Sequence, residues 1–252
     1  MEIPEFAEDL YLGAKTIPFD EQIKQALQPV IAHAFTEPDF PVELVVREGN
    51  VTRQLLHWAN IKQADMMIVG RKDLEFGTCL SIKKCMRQGK SSFFLVPPKP
   101  LKPVRRILVP TDYSQTSTTA LRYVLQIARG MDEPVELVLL FVYTFPAQVH
   151  FDLLQNTKGF QTEIEEGART YFNQYIRRID TRNIQIRGEV IPSRSTGVAR
   201  HIYTYAKKND MDLIVMGAKG HNLFTSIMIG SVTEKLVSIN LDIPMMVIRP
   251  ES

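Results

Sequence analysis

The stretch that decides the fold is Met211-Asp212-Leu213-Ile214-Val215-Met216-Gly217, and it has a near copy in Ala64-Asp65-Met66-Met67-Ile68-Val69-Gly70. Each copy is a short apolar run between an aspartate and a glycine, which is typical of a strand buried on both faces. The 147-residue offset between the two glycines also aligns residue 51 with 198 and residue 59 with 206. These matches predict an internal repeat.

Around the second copy, strand and helix patterns alternate. Apolar runs predict strands at 106–110, 135–142, 184–191, 212–217 and 244–248, and amphipathic spacing predicts helices at 117–130, 163–180, 196–209 and 231–240. Near-continuous apolar strands separated by helices indicate a parallel sheet with both faces covered. The second half is therefore predicted to be an α/β domain with a doubly wound, five-stranded parallel sheet.

The first half is shorter and lacks counterparts of the first strand, the first helix and the second strand. Its patterns predict helices at 20–34, 50–62 and 76–88 and strands at 41–47, 65–70 and 92–96, and residues 1–16 carry no clear pattern. The expected organisation is a truncated, related α/β domain at 1–98, a proline-rich linker at 99–103 and a complete domain at 104–252.

Composition excludes several classes of protein. The formal net charge of +2 lacks the basic excess of a dedicated nucleic-acid binder. The two cysteines, Cys79 and Cys85, match no zinc spacing, and no metal site is expected. The uncharged run at 137–151 is too short to span a bilayer, and the acidic start (residues 2, 5, 8 and 9) does not suit a signal peptide. We therefore expect a cytoplasmic, soluble protein with no membrane partner.

Candidate binding residues follow the predicted strands, because open parallel sheets bind ligands beyond the carboxyl ends of their strands. Gly217 and Gly220 allow a ligand to approach the backbone, and Gly230-Ser231 opens a helix whose N–H groups can hold phosphate. Lys219 and His221 can add positive charge. Asp112 can accept hydrogen bonds from a sugar or a base, and Val142, at the end of the second strand, can pack against a flat ring.

The spacing Gly217-x2-Gly220-x9-Gly230-Ser231, together with Pro110-Thr111-Asp112-Tyr113-Ser114 after the first strand, resembles the ATP-binding branch of the universal stress protein family. The resemblance implies an adenine-nucleotide alpha-hydrolase-like fold and ATP as the ligand, with Mg²⁺ as an optional companion. It implies nucleotide contacts from Pro110, Thr111, Asp112, Val142, Met216, Gly217, Lys219, Gly220, His221, Gly230, Ser231, Val232 and Thr233.

The resemblance also implies the strand order 3-2-1-4-5, with the fifth strand at the edge. An apolar edge strand invites pairing, and Phe93–Val96 of the first half is its expected partner. The strands missing from the first half would leave a gap, so we expect a homo-oligomer through that half. Arg71-Lys72-Asp73 replaces the second glycine of the pattern with an acid, and the first half is expected to bind no nucleotide.

Simpler structural roles remain open for several of these residues. Gly217 and Gly220 can be turn residues, Asp112 can cap a helix, and Lys219 and His221 can be exposed loop residues. The chain has no catalytic motif such as a Walker loop, a G-x-S-x-G elbow or H-E-x-x-H, so no catalytic residue is assigned. A nucleotide-binding stress or signalling protein is the favoured hypothesis. An adenosine-nucleotide-dependent enzyme on a related scaffold and a nucleotide-free scaffold for protein partners are the alternatives.

Overall fold

The computed structural model describes residues 18–35, 40–71, 78–144, 157–182, 184–193, 197–219 and 229–250. The chain divides into two compact units, Met1–Gln54 and Leu55–Ser252. In the described ranges, no helix is both long enough and apolar enough to cross a membrane. The predicted linker at 99–103 falls inside the larger unit, and the predicted domain limits stay a prediction.

The smaller unit contains helix α1 (Phe19–Ala34) and the start of helix α2 (Val51–Ile61). Between them, the predicted strand at 41–47 is wrong, since residues 41–48 are irregular and form no β-ladder with a described strand. Alternating apolar residues such as Val42 and Leu44 favour a strand, but a strand forms only where a neighbour accepts its backbone hydrogen bonds.

The larger unit alternates strands and helices in the predicted order. Its elements after α2 are β1 (Met66–Gly70), α3 (Thr78–Gln88), β2 (Ser92–Val96), β3 (Arg106–Thr111), α4 (Gln115–Arg129), β4 (Glu136–Thr144), α5 (Thr157–Ile176), β5 (Gln185–Ser193), α6 (Val198–Lys208), β6 (Leu213–Gly217), α7 (Ser231–Ile239) and β7 (Met245–Ile248). The 147-residue offset maps the bounds of α2 onto those of α6.

Seven strands of the described chain form one sheet in the order β1-β2-β7-β6-β3-β4-β5. The strands from β3 onward therefore follow the expected order 3-2-1-4-5, which is confirmed. Neighbouring strands are parallel except at one junction, where β2 runs antiparallel to β7 with Phe94 opposite Met246. The expected pairing of the fifth strand with Phe93–Val96 is also confirmed.

Helices cover both faces of this sheet, as the apolar strands require. On one face, α3, α6 and α7 contribute Met86, Ile202 and Leu236 to a core with residues of β1, β2, β6 and β7. On the other face, α4 buries Leu121 and Val124 against the odd-numbered residues of β3 and β4. Because β2 runs antiparallel to β7, the carboxyl ends of β3, β4 and β6 lie at one edge of the sheet and the carboxyl end of β1 lies at the opposite edge.

Candidate functional site

The expected binding edge lies where β3 and β6 separate. β3 pairs with β4 along its whole length, from Arg106 to Thr111, but with β6 only at Ile107 and Leu108. The chain leaves β3 toward β4 and leaves β6 toward β7, so the two connections diverge. Such a switch point is where open α/β sheets form a ligand crevice.

The turn after β3 is held by its own hydroxyls and carboxylate. Asp112 Oδ1 accepts a hydrogen bond from the Ser114 N–H at 3.1 Å, and Thr111 Oγ1 accepts one from the Tyr113 N–H at 2.9 Å. Ser114 is the N-cap of α4, because its hydroxyl accepts the Ser117 N–H at 3.2 Å. The capping alternative for Asp112 is therefore wrong, and this half-buried carboxylate is oriented at the strand end instead.

Tyr113 was not singled out by the sequence, although the structure gives it an unusual environment. Its φ of 60° lies in the left-handed region, which bulky residues rarely adopt. Its ring packs 5.1 Å from Phe141, 4.8 Å from Tyr171 and 5.0 Å from Tyr175. Burial, and then the neighbouring Tyr175 and Tyr171, raise the pKa of Tyr113 to about 12. The aromatic contacts fix the turn that presents Asp112.

Gly217 ends β6 because of a close contact with α4. A Cβ at this position would lie 2.8 Å from both the carbonyl oxygen and Cγ2 of Thr116, in the first turn of α4. Contacts this short are not tolerated by real side chains. The structure thus gives Gly217 a packing role that the sequence reading did not include.

The start of α7 is tied to the end of β6. The Gly230 N–H donates to the Ala218 carbonyl at 2.8 Å, and the buried Thr233 hydroxyl donates to the Gly217 carbonyl at 3.1 Å. Gly230 is the N-cap and has no side chain with which to cap the helix. The first N–H groups of α7, on Ser231 to Thr233, therefore face the crevice edge without a side-chain cap, and they carry the positive end of the helix dipole.

Two cations add to the positive potential beside this helix start. Lys219 is half-buried and follows Ala218, the residue hydrogen-bonded to Gly230. Burial, and then the charge of Arg249, lower the pKa of Lys219, while burial lowers the pKa of Arg249. The Arg249 guanidinium donates to the Met86 carbonyl. The lowered pKa values mean that the protein environment disfavours the charged forms of these two side chains. A bound anion would favour the charged forms and raise both pKa values.

The remaining predicted residues fall into three groups. Pro110, Val142 and Met216 are buried in the sheet, and the latter two belong to its apolar core. The prediction that Val142 ends the second strand is wrong, because β4 continues to Thr144 by pairing with β5 up to Ser193. Val232 is half-buried and Ser231 is exposed in the first turn of α7. Gly220 and His221 lie outside the described residues.

Arg249 is the residue of this edge that sequence reasoning missed. It follows the last strand, and a single arginine before a proline gave no signal beyond an exposed charge. Across the described ranges, no group of His, Cys, Asp and Glu side chains is arranged to hold a metal ion. The arrangement can thus bind an anion at the helix start and a hydrogen-bonding group at Asp112.

Comparison with known proteins identifies a sequence family over the second part of the chain. Residues 103–249 match the sequence profile of the "Universal stress protein family". Universal stress protein MJ0531 of Methanocaldococcus jannaschii is 25% identical over 150 residues, which cover 58% of this chain and 82% of that protein.

Two solved structures show the same fold over most of the chain. A universal stress protein from Archaeoglobus fulgidus superimposes with a TM-score of 0.58 at 12% identity, covering 100% of this chain and 81% of that one. The protein PA1789 from Pseudomonas aeruginosa gives a TM-score of 0.62 at 14% identity, covering 90% of this chain and 78% of that one.

Proposed function

The chain belongs to the universal stress protein family, and from that premise we propose that its C-terminal part binds one adenine nucleotide, ATP, at the edge formed by β3, β6 and the start of α7. The observation that carries the proposal is the α7 N-terminus, which has a glycine N-cap and no side-chain cap. Backbone N–H groups in this state bind phosphate without competition from a capping side chain.

The positive charges beside α7 support a polyphosphate over a neutral ligand. Burial, and then the nearby charge of Arg249, lower the pKa of Lys219, while burial alone lowers the pKa of Arg249. A triphosphate would offset the unfavourable burial of these charges, and the N–H groups of Ser231 and Val232 would donate hydrogen bonds to its oxygens. Gly220 and His221 belong to the proposed phosphate site on the sequence pattern alone.

The nucleoside end of the proposed site is Asp112. The Ser114 N–H fixes one carboxylate oxygen of Asp112, and this hydrogen bond orients the carboxyl group at the end of β3. A carboxylate held in this way is suited to accept hydrogen bonds from ribose hydroxyls. Val142 and Met216 are buried. Their apolar side chains would support the sheet edge below the nucleotide and would make no polar contact with it.

The proposed activity is binding without efficient hydrolysis. Mg²⁺, where it accompanies ATP, would neutralise phosphate charge. The described edge offers Asp112 as an acceptor for the ribose. The carboxylate in the first turn of α7, Glu234, forms an ion pair with Arg87 and is therefore engaged rather than available to activate an attacking water. Nucleotide occupancy would then act in a stress response or in signalling in the cytoplasm, with protein partners that respond to the occupied state.

The first half is proposed to be a degenerate repeat without a nucleotide. Arg71 follows β1 where Ala218 follows β6, and its buried guanidinium donates to the Asn240 carbonyl at the end of α7. A large charged side chain thus stands in the first half at the sequence position that holds Ala218 in the second. One nucleotide per chain follows from the proposal.

The direct test is the small molecule that the purified full chain releases when it is denatured. Chromatography and mass spectrometry of the supernatant should give an adenine nucleotide in about equal amount to the protein, or the chain should bind added ATP after exhaustive dialysis. Inorganic phosphate and adenosine serve as partial ligands and should each bind more weakly than ATP. A chain that releases nothing and gives no signal with millimolar ATP would overturn the proposal.

A further inference from the structure

The chain exposes one strand whose sequence is that of a buried strand. β1 (Met66–Gly70) and β6 (Leu213–Gly217) are related by the 147-residue offset, yet all residues of β6 are buried and only Met67 of β1 is. The contrast is sharpest at Ile68, which is 69% exposed, while its counterpart Val215 is 0% exposed. β6 lies between β3 and β7, whereas among the described residues β1 has a neighbour on one side only, β2.

Among the described residues, the backbone groups along the outer edge of β1 have no strand partner. The Asp65 carbonyl accepts from the Ser92 N–H, and the Arg71 N–H donates to the Val96 carbonyl, so residues 65 and 71 point toward β2. Because the direction of backbone groups alternates along a strand, the N–H and C=O groups of Met66, Ile68 and Gly70 point the other way. No described residue pairs with them.

The opposite edge of the same sheet is protected against pairing with another chain, whereas β1 has no such protection. β5 carries Arg187 and Glu189, which pair with each other at 2.6 Å, and it ends in Pro192-Ser193. Charges and proline are the usual means of preventing a strand from pairing with another chain. β1 reads Met-Met-Ile-Val-Gly and has neither.

We propose that the outer edge of β1 pairs with β1 of a second copy of this chain, antiparallel and about a twofold axis at Ile68. In this register Ile68 of one chain faces Ile68 of the other, and Met66 of each chain faces Gly70 of the other. The outward N–H and C=O groups of the two strands then meet. An antiparallel pair forms hydrogen bonds between such facing residues. The interface is isologous, as twofold dimers require, and it brings no like charges of β1 together.

The sheet already contains a junction of this kind, which favours a second copy over an unrelated strand. β2 and β7 hold equivalent positions in the two halves, and they join antiparallel with Phe94 opposite Met246. Pairing at β1 would extend the same sheet through a second antiparallel junction between equivalent strands. The two exposed Ile68 side chains would then pack against each other and leave water, which adds a hydrophobic contribution.

The test is the oligomeric state of the full chain, measured by sedimentation equilibrium at tens of micromolar. The wild-type chain should be a dimer. Ile68→Lys should raise the dissociation constant by about tenfold or more, because a lysine on the facing strands places like charges together. Leu80→Lys is the matched control, since Leu80 is 57% exposed on α3. That variant should remain a dimer.

A second variant keeps the proposal falsifiable if Ile68→Lys misfolds. Ile68→Cys, in a chain with Cys79→Ser, should form a symmetric disulfide under mild oxidation, since facing residues lie within disulfide reach, whereas Leu80→Cys should not. A monomeric wild type, or a dimer unaffected by Ile68→Lys, would overturn the proposal. So would slow hydrogen exchange at Met66, Ile68 and Gly70 in a monomer, because the chain itself would then cover the edge.

Discussion

The substitution Gly230→Asp should weaken phosphate binding at the start of α7 without destabilising the helix. Gly230 has φ −69° and ψ 147°, an extended conformation that aspartate adopts readily. Aspartate is a good N-cap, so its carboxylate would accept the N–H groups of the first turn, and the helix should gain a few tenths of a kcal/mol or remain unchanged. The same carboxylate would occupy the position proposed for phosphate.

The expected loss of affinity follows from charge. Two unit charges about 4 Å apart at an effective dielectric constant of about 20 repel by about 4 kcal/mol, which corresponds to a loss of roughly a thousandfold in affinity. Isothermal calorimetry with ATP would measure this loss, and thermal unfolding would show that the variant is folded.

The matched control for this change is Gly167→Asp. Gly167 lies in α5, and a Cβ there has no atom within 4 Å, so the substitution adds the same charge without a clash. This control should bind ATP like the wild type. If Gly230→Asp binds ATP normally while folded, the phosphates are not at the start of α7 and the reasoning is refuted.

Three further predictions concern packing, turnover and pH. Gly217→Ala should lower the free energy of unfolding by about 1–3 kcal/mol in urea titration, because its Cβ would press on Thr116. Gly167→Ala, where a Cβ has no atom within 4 Å, should not lower this free energy, and equal losses would contradict the packing argument. The purified chain should hydrolyse ATP more slowly than about 1 per second, below the range of ordinary enzymes, as measured by phosphate release. Faster phosphate release in every preparation would favour the enzyme alternative. The hydrogen bond from Lys207 lowers the pKa of Asp242, so the stability from this carboxylate is present above its unfolded pKa of about 3.9 and is lost as the pH falls below that value. Because the pair is partly exposed, Asp242→Asn should change stability at pH 7 by only a few tenths of a kcal/mol, and this difference should shrink as the pH falls through the lowered pKa of Asp242.

Much of the fold follows from local patterns in the sequence. The apolar runs at 106–110 and 212–217 lack the alternating polar residues of a strand with one face in solvent, and they form the buried strands β3 and β6. The helix predicted from residue 117 begins at Gln115, because the cap is Ser114 and its bond to the Ser117 N–H adds a half turn. Such short-range hydrogen bonds decide boundaries and are hard to read from periodicity alone.

The failures arise where structure depends on distant partners. Residues 41–47 have the composition of a strand, but pairing depends on a neighbour that the sequence pattern does not reveal. Val142 was predicted at a strand end, yet β5 extends the ladder past it. Likewise, the glycine pattern suggested that Gly217 serves a ligand, and the contact with Thr116 became visible only when α4 was packed on the sheet.

The most direct test of the central claim is the stoichiometry of ATP binding to the full chain. A calorimetric titration should give one site per chain, because Gly230-Ser231 opens α7 in the second half, whereas the first half has Asp73 in place of the second glycine of the pattern. A stoichiometry of one that disappears in Gly230→Asp is the predicted result. Two sites per chain, or no binding at millimolar ATP, would contradict the account.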